Sequence, residues 1–555
     1  MCGGRAWLTV ALAAAIAAPG AHAFYCNAAP YGPRKSKAFP PGWNGLGQKP
    51  YMGWRSWYAF FTQMNQSLIE ETIDALTARN RSVGGWKGNV SLCDLGYCAV
   101  GIDEGWEGCG EGVNGTQHYA NGTPATNNVL FPDMKGLVGY GHSHGLKMGW
   151  YFNGCRCGER REPARGWDIN YAGDIHSLHE NGFDAVKFDG CGSQCNLTRY
   201  AELMSATTKA YEIENCHWGD CSDSDASSCP TEDWCPFNFY RTSGDSSNKL
   251  SAWYDNLQTT IRFQTWDAPV SRPGCWAYPD MLQVGRLGCA SQSTSGCPIP
   301  TGLRGWTRTH FAAFCIVSSP LVLSIRLTDA NLAPILDIIG NKRAIAINQA
   351  WAGHPGTLIR SLGPVAAAWQ GAGHPRKRSQ PLPPDVTCRV GETGGGDLHV
   401  ANLTVADAIM WCKNDHRCSG FTAPVATTRA CAPVSSTERA PVYECHFKDA
   451  WGTKRPNADK AWSNWLVGGA HAAGGVQLWA KPLGTNQIAV LFINGGLGSR
   501  ATEVTLLELN ITSSAAEMKV TDVWTGAEAG RVVGGRWPTG DVPSMDSRFV
   551  VFESV

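Results

Sequence analysis

The chain has 555 residues, with 47 basic and 47 acidic side chains, so its formal net charge at pH 7 is zero. A chain without net charge has no overall electrostatic attraction for nucleic acid or for an anionic membrane surface, which argues against both as partners. Hydrophobic residues make up 43% of the chain and charged residues 17%, which excludes disorder and favours one large domain with one or two smaller modules.

Residues 1–23 have the pattern of a secretory signal peptide. Arg5 precedes an apolar run from Ala6 to Ala18, and Ala21-His22-Ala23 forms a small-residue cleavage site. The run is shorter than the roughly 20 residues that span a bilayer, so we predict no membrane span. We therefore expect an extracellular, lysosomal or vacuolar protein.

The 22 cysteines support an oxidising compartment. Because the paired C-x2-C spacing of zinc ribbons is absent, we expect disulfide bonds for most of them and predict no metal. N-glycosylation sequons fit the same route and begin at Asn65, Asn80, Asn89, Asn114, Asn121, Asn196, Asn402 and Asn510.

From Lys49 to about Gly356, runs of β-forming residues alternate with helical patterns. Eight such units predict a (β/α)8 barrel over residues 24–360, with a doubly wound sheet as the alternative. The first helix is predicted over Ser67–Arg79, with Ser67 as its N-cap and Glu70 as the capping-box partner. The predicted strands are Tyr51–Trp57, Tyr97–Asp103, Leu146–Phe152, Phe183–Asp189, Tyr211–Cys216, Phe239–Ser243, Cys275–Asp280 and Phe314–Leu323.

Three further regions follow the predicted barrel. Residues 361–387 are rich in Pro, Gly and basic side chains and are interpreted as a linker. Residues 388–465 contain five closely spaced cysteines, which indicates a small disulfide-stapled insert. Residues 466–555 contain short β-rich runs between turns and are predicted to form a β-sandwich.

Polar side chains concentrate where the predicted barrel strands end, which is where barrel enzymes place their reacting groups. Lys187 and Asp189 lie two residues apart in a strand, so both point to the same side. The ammonium would lower the pKa of Asp189, which suits a nucleophile. Asp245 has no cation at that spacing, and its pKa is predicted to be raised, as a proton donor requires. Tryptophans near the strand ends, together with these polar groups, are typical of a carbohydrate pocket.

Eight motifs occur in an order that resembles one enzyme family. They are Met52 to Trp57, Ile102-Asp103-Glu104, Phe131 to Lys135, Lys187 to Cys191, Cys216-His217-Trp218, Arg241 to Asp245, Pro279 to Leu282 and Ala346 to Gln349. The chain from Lys49 to Gly356, with the carboxyl-terminal β-domain, resembles the melibiase-type α-galactosidases of glycoside hydrolase family 27. That family also contains α-N-acetylgalactosaminidases.

The resemblance implies a retaining exo-glycosidase with Asp189 as nucleophile and Asp245 as acid/base. It implies sugar contacts from Trp54, Asp103, Tyr151, Lys187 and Arg241, with Glu104 in place of the family's second aspartate. It also implies a disulfide bond from Cys191 to Cys155 or Cys157. The insert loosely resembles PAN/apple modules.

Several positions depart from the family pattern. His217 stands where the family has a glutamate that reads the C2 substituent, and it either bonds a hydroxyl or packs. The C2 preference stays open, with a free hydroxyl favoured over N-acetyl. Ala277-Tyr278 replaces the usual Asn-Asp before Pro279.

The prediction is an α-galactosidase that releases terminal α-linked galactose by double displacement without a cofactor. One alternative is a non-catalytic, lectin-like protein, which the substitutions at Arg55, Glu104 and His217 suggest. The others are an α-N-acetylgalactosaminidase and a β-L-arabinopyranosidase. The sequence leaves open whether the chain forms a homodimer.

Overall fold

A computed structural model describes residues 39–157, 159, 163, 166–219, 230–264, 269–291, 295–362 and 475–554 except 485, 497, 510 and 512–516, together with the backbone of short strands between 386 and 467. The predicted signal peptide and most of the predicted linker and cysteine-rich insert lie outside these residues.

Eight parallel strands form one curled sheet, which confirms the predicted barrel class. Their order in space is β8-β1-β2-β3-β4-β5-β6-β7, and a parallel bridge from Leu282 to Leu323 joins the segment after β7 to β8. Because the order follows the chain and never reverses, the doubly wound alternative is wrong. The strands are β1 (Met52–Arg55), β2 (Ala99–Gly101), β3 (Lys147–Phe152), β4 (Ala185–Asp189), β5 (Glu212–Cys216), β6 (Phe239–Arg241), β7 (Trp276–Tyr278) and β8 (Leu321–Leu323).

Helices connect the strands and cover the outside of the barrel. They are α1 (Trp57–Phe60), α2 (Gln66–Thr77), α3 (Met134–Ser143), α4 (Asp168–Glu180), α5 (Leu197–Ser205), α6 (Ala252–Thr259), α7 (Arg304–Ile316), α8 (Asp329–Leu332), α9 (Leu336–Ile339) and α10 (Lys342–Gln349). Among the described residues, no helix is both long and apolar enough to cross a bilayer.

Two predicted boundaries in the barrel are wrong. The N-cap of α2 is Asn65, whose side chain accepts a hydrogen bond from the Leu68 amide, so Ser67 lies inside the helix. Asn is as good an N-cap residue as Ser. Asn65 comes two residues before Ser67, so its side chain is the one that accepts from a free backbone N–H group of the first turn. Phe314 belongs to α7 and not to the eighth strand, because its long apolar run is a buried helix that a strand of three residues follows.

The carboxyl-terminal domain is a six-stranded antiparallel sheet with a two-stranded sheet beside it. The larger sheet has the order β9 (Thr357–Leu362), β10 (Val476–Pro482), β11 (Gln487–Asn494), β16 (Asp546–Ser554), β13 (Met518–Asp522) and β14 (Glu528–Arg531); the smaller pairs β12 (Glu503–Thr505) with β15 (Arg536–Pro538).

Strand β9 shows that the predicted boundary at residue 360 is misplaced, since it falls inside a strand of the carboxyl-terminal sheet. The region between β9 and β10 is therefore inserted into this domain after its first strand. Its described backbone forms an antiparallel sheet of Val386–Val390, Ser463–Val467, Gly420–Ala423, Tyr443–Lys448 and Asp397–Leu403.

The two domains share one apolar core. Trp479 and Leu491 of the carboxyl-terminal sheet pack in the same buried cluster as Phe311 and Ala312 of α7. At this junction the Thr309 hydroxyl lies 2.8 Å from the Ser547 hydroxyl. The sheet therefore covers the outer face of α7, while the barrel mouth is formed by the loops that follow the strands.

Candidate active site

The structure gathers the predicted site residues at the carboxyl ends of neighbouring strands. Parallel strands end at one edge of a sheet, so residues far apart in sequence meet there. Asp103 and Glu104 follow β2, Tyr151 lies in β3, Lys187 and Asp189 end β4, His217 follows β5, and Arg241 ends β6 shortly before Asp245.

Asp189 is buried, with 8% of its surface exposed. The Tyr151 hydroxyl donates to its Oδ2 at 2.8 Å, and the Asn153 amide donates to its backbone carbonyl at 2.7 Å. Its other carboxylate oxygen, Oδ1, is buried and has no hydrogen-bond partner among the described residues. One carboxylate oxygen is thus held in place, and the other has no hydrogen bond to hold it among the described residues.

The predicted electrostatics of Asp189 are wrong. Burial raises the pKa of Asp189 above its usual range, and the lowering effects of the Lys187 ammonium and the Tyr151 hydrogen bond do not offset it. The Lys187 ammonium makes its hydrogen bond with Asp103 Oδ2 at 2.9 Å instead. Lys187 and Asp189 point to the same side of β4, yet the Lys187 ammonium bonds a carboxylate that follows a different strand, β2.

The prediction for Asp245 is also wrong. Burial acts to raise its pKa, but the Arg241 guanidinium and the Lys187 ammonium lower it below its usual range. Arg241 Nη2 lies 3.1 Å from Asp245 Oδ1 because the loop after β6 folds back. The side chain of Asp245 is 60% exposed, which leaves it open to a ligand. Asp245 also contributes to the raised pKa of Asp189, so the two carboxylates interact electrostatically.

Asp280 is a member of the site that the set of predicted site residues omits. It is buried, and its Oδ2 lies 3.3 Å from Arg241 Nη2. The Tyr58 hydroxyl and the Ser246 amide donate to the same oxygen at 2.8 and 2.6 Å. Arg241 therefore bridges Asp280 and Asp245. The sequence signal that could have identified Asp280 as a site residue was its position just after β7.

Trp54, a predicted sugar contact, lies in the hydrophobic core. It is fully buried, its indole N–H donates to the Ile325 carbonyl at 2.8 Å, and it packs in the core. Successive side chains of a strand point to opposite faces, and Arg55 already faces the barrel interior, where it pairs with Glu214. Trp54 consequently faces the helices, whereas Trp57 is partly exposed.

The remaining predicted contacts lie around the same edge. Glu104 Oε1 accepts from the Arg156 amide at 2.5 Å, and burial raises the pKa of Glu104. A Cβ added to Gly190 would lie 3.4 Å from both the His217 and the Trp218 rings. Both rings therefore cover the residue after Asp189, and Trp218, one of the tryptophans near the strand ends, offers an aromatic face there at 38% exposure.

Two disulfide bonds connect the loops that follow β2, β3 and β4. Cys191 pairs with Cys155, and Cys157 pairs with Cys109, which decides between the two partners that the resemblance left open. These bonds join three successive loops of the barrel mouth. Among the described residues, no cluster of three or more His, Cys, Asp or Glu side chains could hold a metal ion.

Removing the Cys155–Cys191 bond by alanine substitution of both residues should lower the free energy of unfolding by about 4 kcal/mol. The reason is that the bond closes a loop of 36 residues in the unfolded chain. The Cys93–Cys98 bond spans only 5 residues, so its double alanine variant should lose about 2 kcal/mol. Denaturant unfolding measures both, and equal losses would contradict the chain-entropy explanation.

Comparison with known proteins supports the family on two separate regions. The family model described as alpha galactosidase A matches residues 49–350, and the model for the alpha galactosidase C-terminal beta sandwich domain matches residues 473–552. An α-galactosidase of Oryza sativa subsp. japonica is 28% identical over 325 residues, covering 57% of this chain and 67% of the relative. Alpha-galactosidase 3 of Arabidopsis thaliana is 28% identical over 330 residues, covering 58% and 64%.

Solved structures show the same fold. An α-galactosidase of Saccharomyces cerevisiae has a TM-score of 0.58 at 16% identity, covering 93% of this chain and 100% of that one. A β-L-arabinopyranosidase of Geobacillus stearothermophilus has a TM-score of 0.57 at 13% identity, covering 92% and 98%. Since the first family model matches more than half of the chain and the second matches its carboxyl-terminal domain, the chain belongs to glycoside hydrolase family 27.

Proposed function

We propose that this glycosidase is a retaining, exo-acting α-galactosidase that removes terminal α-linked galactose from oligosaccharides or glycoconjugates. The observation that carries the proposal is that Asp189, at the end of β4, and Asp245, shortly after β6, are two carboxylates at the same mouth of the barrel. The relatives named α-galactosidases support the choice of sugar. The disulfide bonds support a protein of the secretory route, extracellular or in a lysosome or vacuole.

The mechanism assigns one role to each carboxylate. Asp189 Oδ1 attacks the anomeric carbon while Asp245 gives its proton to the departing glycosidic oxygen, so one C–O bond forms as the other breaks. Asp245, now a carboxylate, then takes a proton from water, and the resulting attack releases galactose and restores Asp189. Two inversions leave the product with the α configuration.

The surrounding groups prepare this chemistry. Tyr151 holds Oδ2 of Asp189, which keeps Oδ1 directed to the sugar. Although burial acts to lower the pKa of Lys187, Asp103 and neighbouring acidic groups raise it, so Lys187 stays an ammonium that can donate to sugar hydroxyls. Arg241 can move its hydrogen bond between Asp245 and Asp280 as Asp245 gains and loses its proton.

Proton NMR of a reaction with nitrophenyl α-galactoside tests the proposal in one measurement. The expected first product is α-galactose, before mutarotation mixes the anomers. The first product being β-galactose would contradict the double displacement. A panel of aryl glycosides tests the sugar, because a preference for α-N-acetylgalactosaminide or β-L-arabinopyranoside would replace galactose as the substrate. Galactose binding without turnover would support the lectin-like alternative.

The pH dependence of kcat/KM should be a bell with its maximum in the acidic range. Asp189 must be ionised and Asp245 protonated, but the pKa of Asp189 is raised and that of Asp245 is lowered. Activity should therefore fall as the pH drops below the lowered pKa of Asp245 and as it rises above the raised pKa of Asp189. The reactive form is then a minor species of the free enzyme.

An Arg241→Met variant tests the assignment of the acidic limb to Asp245. Loss of the guanidinium removes a lowering effect on the pKa of Asp245, so the acidic limb should move to higher pH while kcat/KM falls. An acidic limb that stays in place, or a wild-type maximum in the alkaline range, would contradict the assignment.

A further inference from the structure

Four charged side chains of alternating sign form a buried chain inside the barrel. In order they are Glu214 on β5, Arg55 on β1, Asp103 after β2 and Lys187 on β4, and each is less than 5% exposed. Arg55 Nη2 lies 2.5 Å from Glu214 Oε2, Arg55 Nη1 lies 3.8 Å from Asp103 Oδ2, and Lys187 Nζ lies 2.9 Å from that same oxygen.

Stability alone is a weak reason for such a chain. Moving each ion out of water costs several kcal/mol, and well-packed apolar residues often replace a buried ion pair without loss. This row of four charges does, however, end on Asp103 and Lys187, which bind the sugar in the proposed function. The effect of Glu214 and Arg55 on Asp103 and Lys187 is therefore more informative than their effect on stability.

Arg55 has two carboxylates within reach, and its geometry shows which one holds it. The contact with Glu214 is a short hydrogen bond, whereas 3.8 Å to Asp103 is too long for one. A guanidinium released from Glu214 would form the bidentate pair that arginine prefers with a carboxylate. The partner nearest to it is Asp103, whose Oδ2 would then be shared between Arg55 and Lys187.

We propose that Glu214 and Arg55 are a positioning pair that sets the affinity of the site for its sugar. Glu214 holds Arg55 at a distance from Asp103, so Asp103 and Lys187 remain directed to each other and to the sugar hydroxyls. Arg55 in turn neutralises Glu214, which would otherwise attract Lys187 away from Asp103. Neither residue of the pair touches the reacting atoms. The inference rests on the proposed function.

A double-mutant cycle in the full-length protein tests the pair. Glu214→Gln and Arg55→Met should each raise KM for nitrophenyl α-galactoside by about 10-fold or more, with kcat within about 3-fold of wild type, because each disturbs ground-state binding. The double variant that combines Arg55→Met with Glu214→Gln leaves no unpaired charge, so its KM should return to within about 3-fold of wild type.

Glu212→Gln is the matched control. Glu212 is buried on the same strand and the same face two residues earlier, but its partner is Lys147 at 3.5 Å, away from Asp103. Its KM should stay at the wild-type value. The proposal is overturned if Glu214→Gln has the KM of this control. It is also overturned if the double variant shows the product of the two single effects.

Two further readouts keep the result interpretable. Thermal unfolding identifies a single variant that fails to fold. In that case the double variant alone decides, and a KM raised 10-fold or more in the double variant overturns the proposal. If the wild type does not turn over the galactoside, the proposed function fails, and calorimetric titration with galactose applies the same cycle to the dissociation constant. A wild type that neither hydrolyses the galactoside nor binds galactose overturns both.

Discussion

An Asp189→Asn variant is expected to lose on the order of 10⁴-fold or more in kcat for an aryl α-galactoside. An amide cannot form the glycosyl ester, and groups that act as a unit lose most of their effect when one is removed. Steady-state hydrolysis measures the loss. Turnover within 10-fold of wild type would exclude Asp189 as the nucleophile.

Folding of this variant should be intact. Because burial raises the pKa of Asp189, its charge costs the folded state stability at every pH above its unfolded value, and the neutral amide removes that cost. The midpoint of thermal unfolding at neutral pH should therefore equal or exceed that of wild type. A large fall in the midpoint would attribute the lost activity to structure instead.

Azide should restore turnover to Asp189→Asn with a defined stereochemistry. Azide would attack the anomeric carbon once as the aryl leaving group departs, so the product should be β-galactosyl azide. Its formation would identify residue 189 as the group that attacks from that face.

An Asp245→Asn variant is expected to separate substrates by their leaving groups. General acid catalysis contributes about 10²–10⁴-fold, so galactosides with alkyl leaving groups should lose about that much in kcat/KM. A nitrophenyl leaving group needs little protonation, and its kcat/KM should fall by less than about 10-fold. Equal losses for both substrates would contradict the role of Asp245 as the acid.

The same variant should accept azide with the opposite stereochemical result. Asp189 still forms the glycosyl ester, and azide then opens it from the face that water normally uses, so the product should be α-galactosyl azide. The two asparagine variants thus control each other, since a single reagent gives opposite anomers only if each carboxylate has the assigned role.

Much of the fold and site could be predicted because it depends on neighbours in sequence. Alternation of β-rich and helical runs predicts eight strand-helix units, and chain order alone places their ends at one edge. The two-residue period puts Lys187 and Asp189 on one face of β4, and the motif order points to Asp189, Asp245, Asp103 and Arg241. Each of these inferences uses a side-chain period or an order of motifs that can be read directly from the sequence.

Other features depend on which strands lie side by side and in what register. Lys187 pairs with Asp103 and not with Asp189, and Arg241 reaches Asp245 through a folded loop, so both predicted pKa directions were reversed. Glu214 meets Arg55 across the barrel, which no spacing along the chain indicates. The pKa of a side chain depends on its distance from other charges and on its burial, and both are defined only once the barrel has folded.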